Sequence, residues 1–144
     1  MILGVRHTGI VVRDLKRMKL FYESLGFVED DSKTESGDFI EQVTGINGVN
    51  LQWTKLKAPD GYLLELLNYN HHSEVREISN SNSNNLGISH LAFTVNDIDI
   101  FCEKIKIAGG SLVNPPALSP NGNVRVAYCH DLEGVLMEIV ELQN

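Results

Sequence analysis

The chain repeats itself. His7-Thr8-Gly9-Ile10-Val11-Val12-Arg13-Asp14-Leu15 can be set above His90-Leu91-Ala92-Phe93-Thr94-Val95-Asn96-Asp97-Ile98. His falls on His, Val12 on Val95, Asp14 on Asp97 and Leu15 on Ile98, each pair 83 positions apart. Further on, Asp60-Gly61-Tyr62-Leu63-Leu64-Glu65 matches Glu133-Gly134-Val135-Leu136-Met137-Glu138, Gly on Gly and Glu on Glu, 73 positions apart. Both halves therefore carry the same parts in the same order, and the first holds about ten extra residues in its middle. A repeat of this length means that one supersecondary plan must be folded twice.

The plan can be read from periodicity. An apolar run carrying the His (about 5–12 and 88–95) has a strand's composition. An Asp follows at an N-cap position, Asp14 or Asp97. A helix comes next, with Leu15, Met18, Phe21, Tyr22 and Leu25 at helical spacing in one half and Ile98, Phe101, Cys102 and Ile105 in the other. Gly26 and Gly109-Gly110 stand where helix C′ residues belong. Three more extended runs follow, the last holding the Glu, so each half reads β-α-β-β-β. Residues 1–144 are read as a single α+β domain, with module one about 1–69, a linker about 70–85 and module two about 86–144. Ser79-Asn80-Ser81-Asn82-Ser83-Asn84-Asn85 gives that linker its polar, turn-rich character. Neither half is comfortable alone at this size, so the two sheets are expected to pair or pack.

Bulk composition narrows the partners. A net charge of -7 disfavours nucleic acid and anionic membrane surfaces. With 42% hydrophobic and 22% charged residues the chain has a globular balance. Cys102 and Cys129 form neither a CxxC nor a zinc spacing, which fits a reducing, cytoplasmic setting. The opening MILGVRHTGI has no signal-peptide pattern, and no apolar run approaches a membrane span.

The repeat also singles out chemistry. Glu65 lies within Tyr62-Leu63-Leu64-Glu65-Leu66-Leu67-Asn68-Tyr69, and Glu138 within Val135-Leu136-Met137-Glu138-Ile139-Val140, each four residues after a Gly. A carboxylate among leucines is costly unless something pairs with it. A lone strand His is commonly structural, and a lone strand Glu can sit at an exposed edge. An accident has no reason to recur at matching places. His7, Glu65, His90 and Glu138 together offer two imidazoles and two carboxylates, a donor set suited to a divalent transition metal.

Other residues carry less. His71-His72 reads as a solvated loop pair, and His130 as structural or exposed. Trp53 and Phe39 are read as pocket lining or core. Glu41 and Gln42 lie in the surplus of the first half, where a second proton-transfer group is one reading. Asn121-Gly122-Asn123 marks a turn, either a plain hairpin or a loop over the site. Cys129 beside His130 is no nucleophilic pair, because adjacent strand residues face opposite ways.

The motifs HTGIVVRDL with FYESLGF, APDGYLLELL, SHLAFTVNDI and HDLEGVLMEIVE resemble the vicinal oxygen chelate superfamily. That superfamily includes glyoxalase I, methylmalonyl-CoA epimerase, extradiol dioxygenases and the fosfomycin and bleomycin resistance proteins. The resemblance runs from His7 to Glu138. It implies two tandem βαβββ modules forming a curved eight-stranded mixed sheet, with His7, Glu65, His90 and Glu138 at the four metal-ligand positions. It implies one divalent cation (Zn, Ni, Co, Mn or Fe) acting as a Lewis acid on vicinal oxygens of a small-molecule substrate. It further implies Glu138 or Glu65 as catalytic base, and a homodimer. A glutamate at the second ligand position is similar to glyoxalase I, whereas the epimerases usually carry glutamine there. An Fe(II) dioxygenase needs only His7, His90 and Glu138, and a resistance protein that sequesters its ligand needs no metal set. Arg6, Arg13, Arg76 and Arg125 are scattered and form no glutathione-binding cluster, and Arg125 is the best placed for an anion. The resemblance therefore favours a metal-dependent lyase or isomerase of glyoxalase type.

Overall fold

The computed structural model describes residues 1–70 and 79–143; His71, His72 and Arg76 lie outside them. The chain divides into two compact units, Met1–Arg76 and Glu77–Asn144. The first runs β1 (Thr8–Val11), α1 (Leu15–Ser24), β2 (Val28–Ser36), α2 (Asp38–Thr44), β3 (Asn50–Lys57) and β4 (Leu63–Asn70). Its four-stranded sheet has the order β1-β4-β3-β2. β1 is parallel to β4, and the β2–β3 and β3–β4 pairs are antiparallel. The second unit runs β5 (Leu91–Val95), α3 (Ile98–Ile107), β6 (Ser111–Leu112), β7 (Ala117–Leu118), β8 (Val124–His130) and β9 (Leu136–Leu142). Its five-stranded sheet has the order β5-β9-β8-β6, with β7 also on β8. β5 is parallel to β9, as β1 is to β4.

The expected α+β architecture is present, with departures in detail. The hydrogen-bonded strands form two sheets, one in each unit. The surplus of the first half contains a short helix, α2, between Gly37 and Gly45. In the second unit one extended run is broken into β6 and β7, with Pro115 and Pro116 between them. Proline has no N–H to give a ladder, so the strand is interrupted there.

Local chemistry explains why the elements start and stop where they do. The Asp14 side chain accepts the Arg17 N–H at 2.9 Å, and Asp97 accepts that of Ile100 at 2.9 Å. Such a cap contributes about 1 kcal/mol. The turns into β4 and β9 are built alike. Ala58 N donates to Tyr62 O at 2.9 Å, and Asp131 N donates to Val135 O at 3.1 Å. Gly61 and Gly134 supply φ of 90° and 84°, which side-chain-bearing residues resist.

Alternation then sorts the faces. On β4, Leu64 and Leu66 are fully buried, as Met137 and Ile139 are on β9. α1 packs on β3 and β4 and buries Met18, Phe21 and Tyr22. α3 packs on β8 and β9 and buries Ile98, Cys102 and Ile105. Full burial of each such aliphatic side chain stabilises by roughly 1.5–3 kcal/mol. Glu65 and Glu138 alternate with these residues and so fall on the opposite face. Of the leucines around Glu65, Leu64 and Leu66 point the other way, while Leu63 and Leu67 flank it on its own face. At the far end of the Glu65 face, α2 and the segment after it seat Ile40, Ile46 and Val49 against Leu51, Trp53, Leu67 and Tyr69.

Arg125 joins α3 to its sheet. It makes two contacts to Asp99, at 2.7 and 2.9 Å, and one to Glu141 at 3.4 Å. Cys102 and Cys129 are both buried and free. Burial pushes the Cys129 thiol up to about 12.

Candidate metal centre

The strand pairings place each His beside its Glu. Gly9 is registered with Glu65, so His7, two residues earlier, is delivered to the same face. Ala92 is registered with Glu138, and His90 is delivered in the same way. The sequence implies that each His lies within its strand. Each stands instead immediately before it, because the ladder starts at Thr8↔Leu64 and at Leu91↔Met137. Freed from the ladder, each ring turns to its carboxylate.

The result is one His–Glu pair per unit. His7 Nε2 is 3.0 Å from Glu65 Oε2, with the side chains 27% and 12% exposed. His90 Nε2 is 3.2 Å from Glu138 Oε2, at 28% and 25% exposed. Among the described residues, no group of three or more His, Cys, Asp or Glu side chains is gathered closely enough to hold a metal. The donors come as pairs.

Each pair is spaced as two ligands of one cation would be. Two donors lying about 2.1 Å from one ion and meeting near a right angle are about 3 Å apart. Both Nε2–Oε2 separations match that spacing. Imidazole nitrogen with carboxylate oxygen is a donor chemistry that borderline transition metals accept.

The surroundings of the pairs differ. Lys55, on β3, lies directly opposite Glu65 on β4, and its Nζ is 3.6 Å from Oε1. Both Glu65 oxygens are thus engaged, one by His7 and one by Lys55. The Lys55 ammonium also sits 4.3 Å from the Trp53 ring centroid. The Trp53 indole N–H donates to Glu35 at 2.8 Å, and Lys33 holds the other Glu35 oxygen at 3.0 Å. The indole N–H and then the Lys33 ammonium hold the Glu35 carboxyl below its ordinary value. In the second unit Tyr128 takes the place of Lys55, directly across from Glu138. Its ring meets that of His90 edge-on, with centroids 5.2 Å apart. Ser89 Oγ is 2.9 Å from His90 Nδ1, whereas His7 Nδ1 is buried with no partner among the described residues.

Lys55 could have been found from the sequence. A hairpin turning at Asp60 places residues five positions to either side opposite each other, and Lys55 and Glu65 meet that condition. Other candidates resolve into structural roles. Glu41 accepts the Gly48 N–H at 3.0 Å and so braces the loop after α2. Phe39 is exposed. His130 is buried, with Nε2 2.8 Å from Ser81 O. Asn121-Gly122-Asn123 forms the β7–β8 hairpin turn. Arg125 is committed to Asp99 and Glu141.

Comparison with known proteins places the chain. Residues 4–139 match the family described as the Glyoxalase/Bleomycin resistance protein/Dioxygenase superfamily. The chain belongs to that superfamily. It is 28% identical over 140 residues to a protein named "Probable lactoylglutathione lyase" from Synechocystis sp., covering 96% of this chain and 95% of that one. A glyoxalase family protein crystallised from Bacillus cereus shares the fold with a TM-score of 0.91 at 24% identity, over 100% of this chain and 97% of its own. A mutant form of the genomically encoded fosfomycin resistance protein FosX from Listeria monocytogenes has a TM-score of 0.64 at 19% identity, over 96% and 90% of the two chains. That protein was crystallised with Mn(II) and 1S,2S-dihydroxypropylphosphonic acid. Among the described residues, no helix is long and apolar enough to cross a membrane.

Proposed function

We propose that this superfamily member is a metal-dependent lyase or isomerase of glyoxalase type that acts on a small oxygenated metabolite. The observation that carries the reading is the His–Glu pair formed at the same place in both units. His7, Glu65, His90 and Glu138 would hold one divalent transition metal. When bound, the metal supplies Lewis-acid polarisation of vicinal substrate oxygens. The imidazoles contribute neutral donors. Glu65, engaged on both oxygens, stays as a fixed anionic donor. Glu138 has His90 as its one ion-pair partner among the described residues, and it is the carboxylate free to take and return a proton. The lyase name of the Synechocystis relative supports this class of chemistry. A homodimer is part of the reading, and sedimentation checks it.

The test is the metal content of protein purified without chelator or tag-derived metal, compared with His7→Ala and Glu138→Ala. Zinc, nickel, cobalt or manganese near one per chain, lost in both variants, supports the reading. Solvent-proton exchange into 2-oxo and 2-hydroxy compounds would then follow. Iron at that level, with oxygen consumption on catechols, makes the protein a dioxygenase instead. Wild type that holds no more metal than the variants after reloading overturns the metal site and leaves a ligand-binding protein.

A further inference from the structure

The two half-sites differ by one charge, whose part in the reading above is only to hold Glu65. Lys55 is 21% exposed and lies on the same face as His7 and Glu65. Its place is set by neighbours on three strands. Its ammonium lies over the Trp53 ring on β3 and is paired with Glu65 on β4, and the Trp53 indole is bonded to Glu35 on β2. A lysine constrained in this way is a fixed point charge rather than a solvated surface group. In the second unit the matching position holds Tyr128, which brings no charge.

We infer that Lys55 selects the substrate, and that the substrate is a small monoanion, a 2-oxo or 2-hydroxy acid, with its negative charge next to the oxygens that meet the metal. The inference rests on the metal reading above. Two glutamates balance a divalent cation, and imidazole ligands are neutral. With the metal in place, Glu65 is shared with a stronger cation, and Lys55 is left as one uncompensated positive charge at a partly dry site. A single negative charge on the ligand restores balance, while a neutral ligand leaves the ammonium unmatched.

The experiment uses full-length protein loaded with Mn(II), read by water-proton relaxation. Two probes each offer vicinal oxygens: lactate, a monoanion, through its hydroxyl and carboxylate, and hydroxyacetone, which is neutral, through its hydroxyl and ketone. Lys55→Met keeps the stem against Trp53 and removes the charge. Lys55→Arg keeps the charge. Lys33→Met removes a neighbouring charge that this inference does not use. Lactate affinity is expected to fall about tenfold in Lys55→Met, equivalent to about 1.4 kcal/mol. It should be largely kept in Lys55→Arg and unchanged in Lys33→Met, with hydroxyacetone unmoved throughout. Mn(II) affinity in Lys55→Met should hold or rise, because a competing cation has gone. Lactate affinity unchanged in Lys55→Met overturns the inference and leaves the metal reading standing. Loss of Mn(II) from Lys55→Met also overturns it, since Lys55 would then only brace Glu65. A wild type that binds no Mn(II) overturns both.

Discussion

Each unit pairs one histidine with one glutamate, and the two units support opposite members of the pair. In the first unit the carboxylate is braced: His7 takes one Glu65 oxygen and Lys55 the other. The imidazole is not, because His7 Nδ1 has no partner among the described residues. In the second unit the imidazole has Ser89 behind it, and Glu138 answers only to His90 among the described residues. A duplicated unit thus keeps its donors while its outer contacts diverge, and those contacts decide how firmly each donor is held.

The comparison can be broken at the ligands, where the effect should be largest. Glu138→Gln is expected to weaken metal binding about a hundredfold, or about 2.7 kcal/mol. Glu65→Gln should cost about tenfold more, because it also leaves the Lys55 ammonium facing the cation with no carboxylate between them. Competition titration with a chromogenic chelator measures both. Equal losses, or the reverse order, would mean that the cross-strand lysine does not distinguish the halves.

A smaller difference lies in the matched turns. Gly61 and Gly134 both have positive φ. A Cβ on Gly61 would meet nothing within 4 Å, whereas one on Gly134 would lie 2.4 Å from the backbone oxygen of Ser79. Gly61→Ala is therefore expected to destabilise by about 1 kcal/mol from conformation alone. Gly134→Ala should destabilise by about 3 kcal/mol, since the Ser79–Asn80 backbone must also move. Urea unfolding midpoints compare the two, and equal shifts would show that this segment gives way freely.

The smallest effect concerns Glu35, which has no counterpart in the second unit, where Val126 stands at the position matching Trp53. The Trp53 indole N–H, and then Lys33, lower the Glu35 carboxyl from its ordinary 4.5. A depressed folded-state value stabilises above the unfolded value, and that contribution is lost as pH falls through the folded one. The stability gap between wild type and Trp53→Phe should therefore narrow as pH drops below about 4.5. A gap constant down to about pH 3 would assign the whole loss to packing.

Much of this was legible in the sequence because it depends on short-range rules. The Asp caps and the glycine turns follow from spacing within one helix turn or one hairpin, and the repeat marks each His and Glu, although their shared face is set by the β1–β4 and β5–β9 pairings. Three features needed more. α2 is a seven-residue helix bounded by glycines, too short for its apolar spacing to stand out within the surplus. The break between β6 and β7 depends on Pro115 and Pro116, whose missing N–H groups matter only once β8 is alongside. Hairpin spacing about Asp60 permits Lys55 to face Glu65, but only the β3–β4 pairing brings its charge there and makes it part of a site. Arg125 misled for the same reason. Its neighbours Asp99 and Glu141 are distant in sequence, and they occupy a guanidinium that otherwise invites an anion.

The buried thiols have a practical consequence. Cys102 and Cys129 both belong to the second unit, on α3 and β8, and neither has a disulfide partner. A thiol reagent must wait for that unit to open before it can react, and the first unit contains no cysteine to respond. The native chain therefore carries its own opening clock. Labelling kinetics time the excursions of one half of a duplicated fold while the other half stays silent, without any engineered probe.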